Sequence, residues 1–128
     1  MQVDAMKRAA VAALEEIKAR DITVLDVRKM TSLFDYMIVA TAESARQTKA
    51  LANNVLERLR EKGVHAQGIE GEQTGEWVLV DLGDVIVHVM QPAVRAYYNI
   101  ELLWGGTPPL PHAGPWRSGP VAEAPAAP

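Results

Sequence analysis

The sequence predicts an α/β protein in which a single mixed β-sheet of about five strands is packed with helices, and two stretches carry that prediction. Trp77 to Asp81 and Val85 to Met90 are rich in β-branched and large apolar residues, and Leu82, Gly83 and Asp84 between them form a short Gly-containing connection, so the two runs read as a β-hairpin. Thr48, Leu51, Ala52, Val55, Leu56 and Leu59 instead recur at three- and four-residue spacing. That is the apolar stripe of a helix. Both periodicities in a chain of 128 residues call for a sheet layer and a helix layer sharing one core.

The remaining elements follow in chain order. From Asp4 to Arg20, Met6, Ala9, Ala10, Ala13, Leu14 and Ile17 line one face of an amphipathic helix, with Asp4 placed to cap it and Lys18 and Arg20 expected in its last turn. Ile22 to Val27 reads as a strand, Arg28 to Ser32 as a polar turn and Tyr36 to Ala40 as a second strand, the two expected to pair antiparallel. Ser44 followed three residues later by Gln47 is a capping-box pattern that starts the second helix, Ala45 to Lys62, and Gly63 stops it. Val64 to Ile69 is weakly β. After the hairpin, Pro92 opens one continuous helix running to Trp104, with Gly105 as its stop.

Two segments result: an α/β domain over residues 1–104 and a tail over 105–128. In the tail sixteen of twenty-four residues are Gly, Pro or Ala and apolar periodicity is lost, so it is expected to be disordered.

Composition removes several function classes. The chain contains no cysteine, which excludes a disulfide framework, a Cys-ligated metal site and a cysteine nucleophile. Its N-terminus has neither the long apolar run nor the Arg/Ser-rich character of a targeting segment, and no stretch is long enough to span a bilayer, so a soluble cytoplasmic protein is expected. No Gly-rich phosphate loop and no paired-His metal motif is present, so no cofactor is expected. His65, His88 and His112 are scattered, and neither Ser32 nor Ser44 has evident triad partners. The outer face of the second helix carries Arg46, Lys49, Arg58, Arg60 and Lys62, which reads as a solvated face more readily than as a nucleic-acid contact.

Local charge is more informative than the net charge of −3. Glu70, Glu72, Glu76, Asp81 and Asp84 lie in or just before the hairpin, and no Lys or Arg occurs from Gly63 to Val94. A basic partner is favoured. An enzyme reading also exists: Asp35 between two strands and Asp81 on a later one resemble the carboxylate layout of nucleotidyltransferases, in which acidic residues hold paired magnesium ions. The position two beyond Asp35, where that family places its second carboxylate, is Met37, and the family's Gly-Ser turn is missing.

Six blocks in order, Asp35 to Thr41, Ser44 to Thr48, Gly68 to Gly71, Gly75 to Asp81, Val85 to Val89 and Arg95 to Trp104, resemble the Iojap-type ribosomal silencing factors, and the resemblance covers nearly all of residues 1–104. It implies a nucleotidyltransferase-like α/β fold without enzymatic activity, binding to ribosomal protein fourteen of the large subunit, and a steric block to joining of the small subunit that lowers translation when nutrients are short. It also implies a homodimer, and a partner that is neither DNA nor membrane. A dimeric scaffold without a ribosomal role is the further alternative.

The residues expected to meet the partner are Glu70, Trp77, Leu79, Asp81, His88, Arg95 and Tyr98. Alternation puts Trp77, Leu79 and Asp81 on one sheet face and Val78 and Val80 on the other. If the valines are core, an indole and a leucine stand outside within an acidic rim, the composition of a binding hot spot; the plainer alternative is that Trp77 is itself core beneath a helix. Glu70 is read as a partner contact; the alternatives are a plain surface acid, or a pair with Arg95 that ties the last helix to the sheet. His88 could share the Trp77 side of the sheet.

Overall fold

The computed structural model describes residues 1–105, so the expected tail lies almost wholly outside the described residues. The elements are α1 (Val3–Glu16), β1 (Arg20–Asp26), β2 (Tyr36–Thr41), α2 (Ala45–Glu61), β3 (Gly68–Glu70), β4 (Trp77–Asp81), β5 (Val85–Met90), α3 (Pro92–Tyr98) and α4 (Ile100–Leu103). The five strands form one sheet in the order β1-β2-β5-β4-β3. All neighbours are antiparallel except β2 and β5, which run parallel, so the sheet is mixed as expected.

The sheet has two unlike faces. On the first, Ile38, Ala40, Val78, Val80, Val85, Val87 and Val89 are buried beneath the apolar stripes of α1 and α2, which contribute Met6, Ala10, Ala13, Leu14, Leu51, Ala52, Val55 and Leu59. Helix α2 starts as its sequence predicts: Ser44 is the N-cap, and its hydroxyl accepts from the Gln47 backbone N–H. The Gln47 side chain turns back to accept from the Glu43 N–H at 2.8 Å, one residue before the N-cap, and donates to Ile17 O and Lys18 O, so it ties two helix ends together. The second face is covered over part of its area by α3 and α4. There Leu25, Val27, Met37, Val39, Met90 and Ile100 make a smaller cluster, with Phe34, Trp77, Val94, Tyr98 and Trp104 packed at its border.

Two helix boundaries depart from expectation. Helix α1 ends at Glu16, and its N-cap is Gln2, which makes no side-chain cap; Asp4 sits in the first turn. Lys18 adopts a left-handed conformation (φ 63°) that turns the chain, and Arg20 already belongs to β1, where its guanidinium pairs with Glu43. The last helix is broken in two. Asn99 takes φ 48°, ψ 51°, closes α3 through its N–H to Arg95 O, and restarts the chain as α4. Asn accepts this left-handed geometry more readily than most residues with a side chain.

Candidate functional site

The hairpin forms as its sequence dictates. Gly83 (φ 92°) makes the turn, its N–H donates to Asp81 Oδ1 at 2.8 Å, and Leu82 N–H donates to Val85 O at 2.9 Å. This register pairs Trp77 with Met90, Leu79 with His88 and Asp81 with Ile86, while β3 pairs Glu70 with Leu79. Side-chain alternation then brings Glu70, Trp77, Leu79, Asp81 and His88 to the second face, spread over β3, β4 and the central strand β5. Val78 and Val80 are fully buried on the first face, which leaves Trp77 and Leu79 half-buried on the second.

Trp77 is neither a free anchor nor simple core. Its ring stands 5.0 Å from Tyr98 and 5.8 Å from His88, and its Nε1–H donates to His88 Nδ1 at 2.9 Å. With Glu70, Gly71 and Leu79 it lines an open groove of about 250 Å³. The loop from Gly71 to Gly75 depends on two glycines. At Gly71 (φ 88°) an added Cβ would lie 1.9 Å from Trp77 O, and at Gly75 (φ 73°) it would lie 2.8 Å from the Ala45 Cβ. The loop between them is pinned from behind by the Thr48 hydroxyl, which donates to Gly75 O at 2.6 Å.

The electrostatics of this edge are one-signed. Glu70, Glu72, Glu76 and Asp84 are exposed, and among the described residues none of the ion pairs uses any of the five acids of the run. By contrast, the basic face of α2 is partly neutralised, Arg58 pairing with Glu16 and Glu61 and Arg60 with Glu57.

Two expected contact residues are reassigned. Arg95 is only 5% exposed, and it does not pair with Glu70. Its Nε donates to Glu101 Oε2 at 3.1 Å, Nη1 to Asp21 O and Thr41 Oγ1, and Nη2 to Thr23 Oγ1, so one guanidinium stitches α3 and α4 to β1 and β2. Glu101 is buried with it, and among the described residues its Oε1 has no hydrogen-bond partner. Four of its five N–H groups are thereby engaged inside the domain. His88 is 6% exposed and lies behind Trp77; burial pushes its imidazole down to about 4, so it is neutral near pH 7. Tyr98, half-buried against Trp77, keeps part of its ring at the surface. Sequence reasoning missed the Trp77–His88 bond and the Arg95–Glu101 pair, for which neither spacing carries a standard signal.

The carboxylate layout considered for phosphoryl transfer is not assembled. Met37 is buried in the second cluster, Asp81 is engaged by its own turn, and among the described residues no group of three or more His, Asp or Glu is placed to hold a metal ion. No helix among the described residues is long and apolar enough to cross a membrane.

The architecture is thus a five-stranded α/β domain with an open groove on an acid-rich sheet edge. Comparison with known proteins specifies the group: a family model described as "Ribosomal silencing factor during starvation" matches residues 1–126, and the chain belongs to that family. It is 56% identical over 121 residues to ribosomal silencing factor RsfS of Chromobacterium violaceum, covering 92% of this chain and 99% of the relative. A crystal structure of a protein from the same organism superposes with a TM-score of 0.84 at 56% identity, covering 91% of this chain and 99% of that one. The chain is also 36% identical over 98 residues to the chloroplastic protein Iojap of Zea mays, covering 77% of this chain and 42% of the relative. The family match runs past Trp104, where the sequence resemblance was expected to end.

Proposed function

We propose that this chain is a non-enzymatic repressor of translation that docks on ribosomal protein fourteen of the large ribosomal subunit and thereby obstructs joining of the small subunit when nutrients are limiting. The observation that carries the docking half of this reading is the groove bounded by Glu70, Gly71, Trp77 and Leu79 on an edge with no cation from residue 63 to 94. Apolar walls and an acidic rim suit a Lys or Arg side chain, whose aliphatic stem packs on the indole while its charge meets Glu70. The family's name supports the ribosome as target, and the cytoplasm, where subunits join, as place of action. A bound interface of standard size, about 800 Å² per partner, would occupy much of one side of so small a domain, leaving its bulk to exclude the other subunit.

A homodimer is part of the same reading. Leu33, Met30, Leu102 and Leu103 are exposed, and the loop carrying the first pair lies against α4, with Phe34 and Trp104 5.3 Å apart. This apolar patch is the surface proposed for self-association. It adjoins the β1–β2 loop.

The test is co-sedimentation of purified protein with separated subunits, then with both together. Binding to large subunits alone, with fewer joined ribosomes as protein is added, is the expected result. Association with neither subunit would overturn the reading.

A further inference from the structure

We propose that His88 is a positioning residue for the docking groove: by accepting the Trp77 indole N–H it holds the ring in the orientation that forms the groove wall, ready for the partner before the partner arrives. The inference rests on the docking role proposed above for that groove.

The geometry carries it. Among the described residues the Trp77 Nε1–H has a single acceptor, His88 Nδ1 at 2.9 Å, supplied by the neighbouring strand and diagonal to Trp77 in the β4–β5 register. An Nδ1 that accepts must be unprotonated, so the imidazole carries its proton on Nε2. Burial keeps it in that neutral form at neutral pH. Tyr98 closes the other flank of the indole at 5.0 Å, so the ring is held by a hydrogen bond at one point and by an aromatic contact at another. His88 itself is 6% exposed and cannot meet a partner broadly. Its contribution to binding passes through Trp77.

The energetic role is the entropy of one large side chain. A Trp left to choose among rotamers must be immobilised when the complex forms, and holding it beforehand removes that cost, a change of about three- to tenfold in affinity. Acceptors of other shape can be ranked. An Asn at position 88 can put its amide oxygen near the place of Nδ1; a Leu fills the space with no acceptor.

The experiment is nuclear magnetic resonance of the full ¹⁵N-labelled chain, beside affinities for the large subunit of wild type, His88→Leu, His88→Asn and Trp77→Ala. In the wild type a scalar coupling across the Trp77 Nε1–His88 Nδ1 hydrogen bond and slow exchange of that indole proton are expected. His88→Leu should move the indole resonance toward that of an exposed Trp, keep a cooperative melt and weaken binding about three- to tenfold. His88→Asn should recover a good part of both. An uncoupled, freely exchanging indole in the wild type would overturn the inference without any variant, as would a His88→Leu protein that keeps full affinity while Trp77→Ala loses it. If Trp77→Ala also binds like wild type, the docking reading is what fails, and the spectra still decide whether His88 orients the ring.

Discussion

The two faces of the sheet are built on opposite physical plans. Beneath α1 and α2 the contact is mainly aliphatic, Leu14, Ile38, Leu51, Leu59 and the inward valines of the hairpin being fully buried. Such a face is stabilised by area removed from water and by close packing, and it asks only for the right volume. On the other face the cover is partial, and it is held by polar groups in specific geometry: Arg95 with Glu101 and two threonines, Trp77 with His88. A buried charge or a buried indole N–H stabilises only when its partner is in place, and each is costly to leave alone. The first face supplies the fold; the second supplies a surface with a defined shape.

The sharpest way to break this comparison is to remove one partner of the buried ion pair. Arg95→Met would leave Glu101 buried and unpaired and release Thr23 and Thr41, a destabilisation of about 3 to 5 kcal/mol measured by urea unfolding. Adding Glu101→Leu should restore a large share of it, because the uncompensated charge is gone; a double variant no more stable than the single would show that the pair does not act as a unit.

The next effect is acid sensitivity of the second face. His88 is held at about 4 when folded against an ordinary value of 6.5. The unfolded chain therefore binds a proton that the folded one refuses as pH falls from 6.5 toward 4. This contribution to stability is fully present above pH 6.5, declines through that window and is gone below it, about 3 kcal/mol in all. Urea unfolding at a series of pH values, on wild type and His88→Leu, isolates it: the variant should lose the dependence in that window.

Smaller again are the groove and the cap. Trp77→Ala should weaken large-subunit binding by about 2 kcal/mol per folded molecule, and because Trp77 also packs on Tyr98 it should lower the melting temperature as well. Ser44→Ala removes only the hydroxyl that caps α2, and should cost about 1 kcal/mol of stability with docking unchanged, both read in the same pair of assays.

The same contrast explains what was legible in the sequence. The aliphatic face was readable because its information is periodic: the hairpin strands and the Ser44 cap stand where the sequence puts them, and α2 ends one residue short of expectation. The polar face was not. Arg95 looked like a surface cation, since arginine is rarely buried, and its carboxylate partner lies six residues on, across the Asn99 break, where no helical spacing would pair them. His88 and Trp77 could be set on one side only once the turn at 82–84 had set the register. The end of α1 was misplaced for a related reason. Lys18 and Arg20 suit a helix C-terminus by charge, but Lys18 turns left-handed and Arg20 pairs with Glu43, a tertiary partner invisible in local sequence.

The proposed docking on the acidic groove, and not on the basic face of α2, separates two oppositely charged surfaces. Glu70 is exposed and makes no ion pair among the described residues, and Lys49 is exposed on α2, so reversing either charge should leave the fold intact. The deciding measurement is the affinity of purified ribosomal protein fourteen for wild type, Glu70→Lys and Lys49→Glu at two salt concentrations. The account predicts that Glu70→Lys binds several-fold more weakly, most clearly at low salt, while Lys49→Glu binds as wild type. Equal affinity for Glu70→Lys and wild type, with loss on Lys49→Glu, would contradict it and move the docking surface to the helical face.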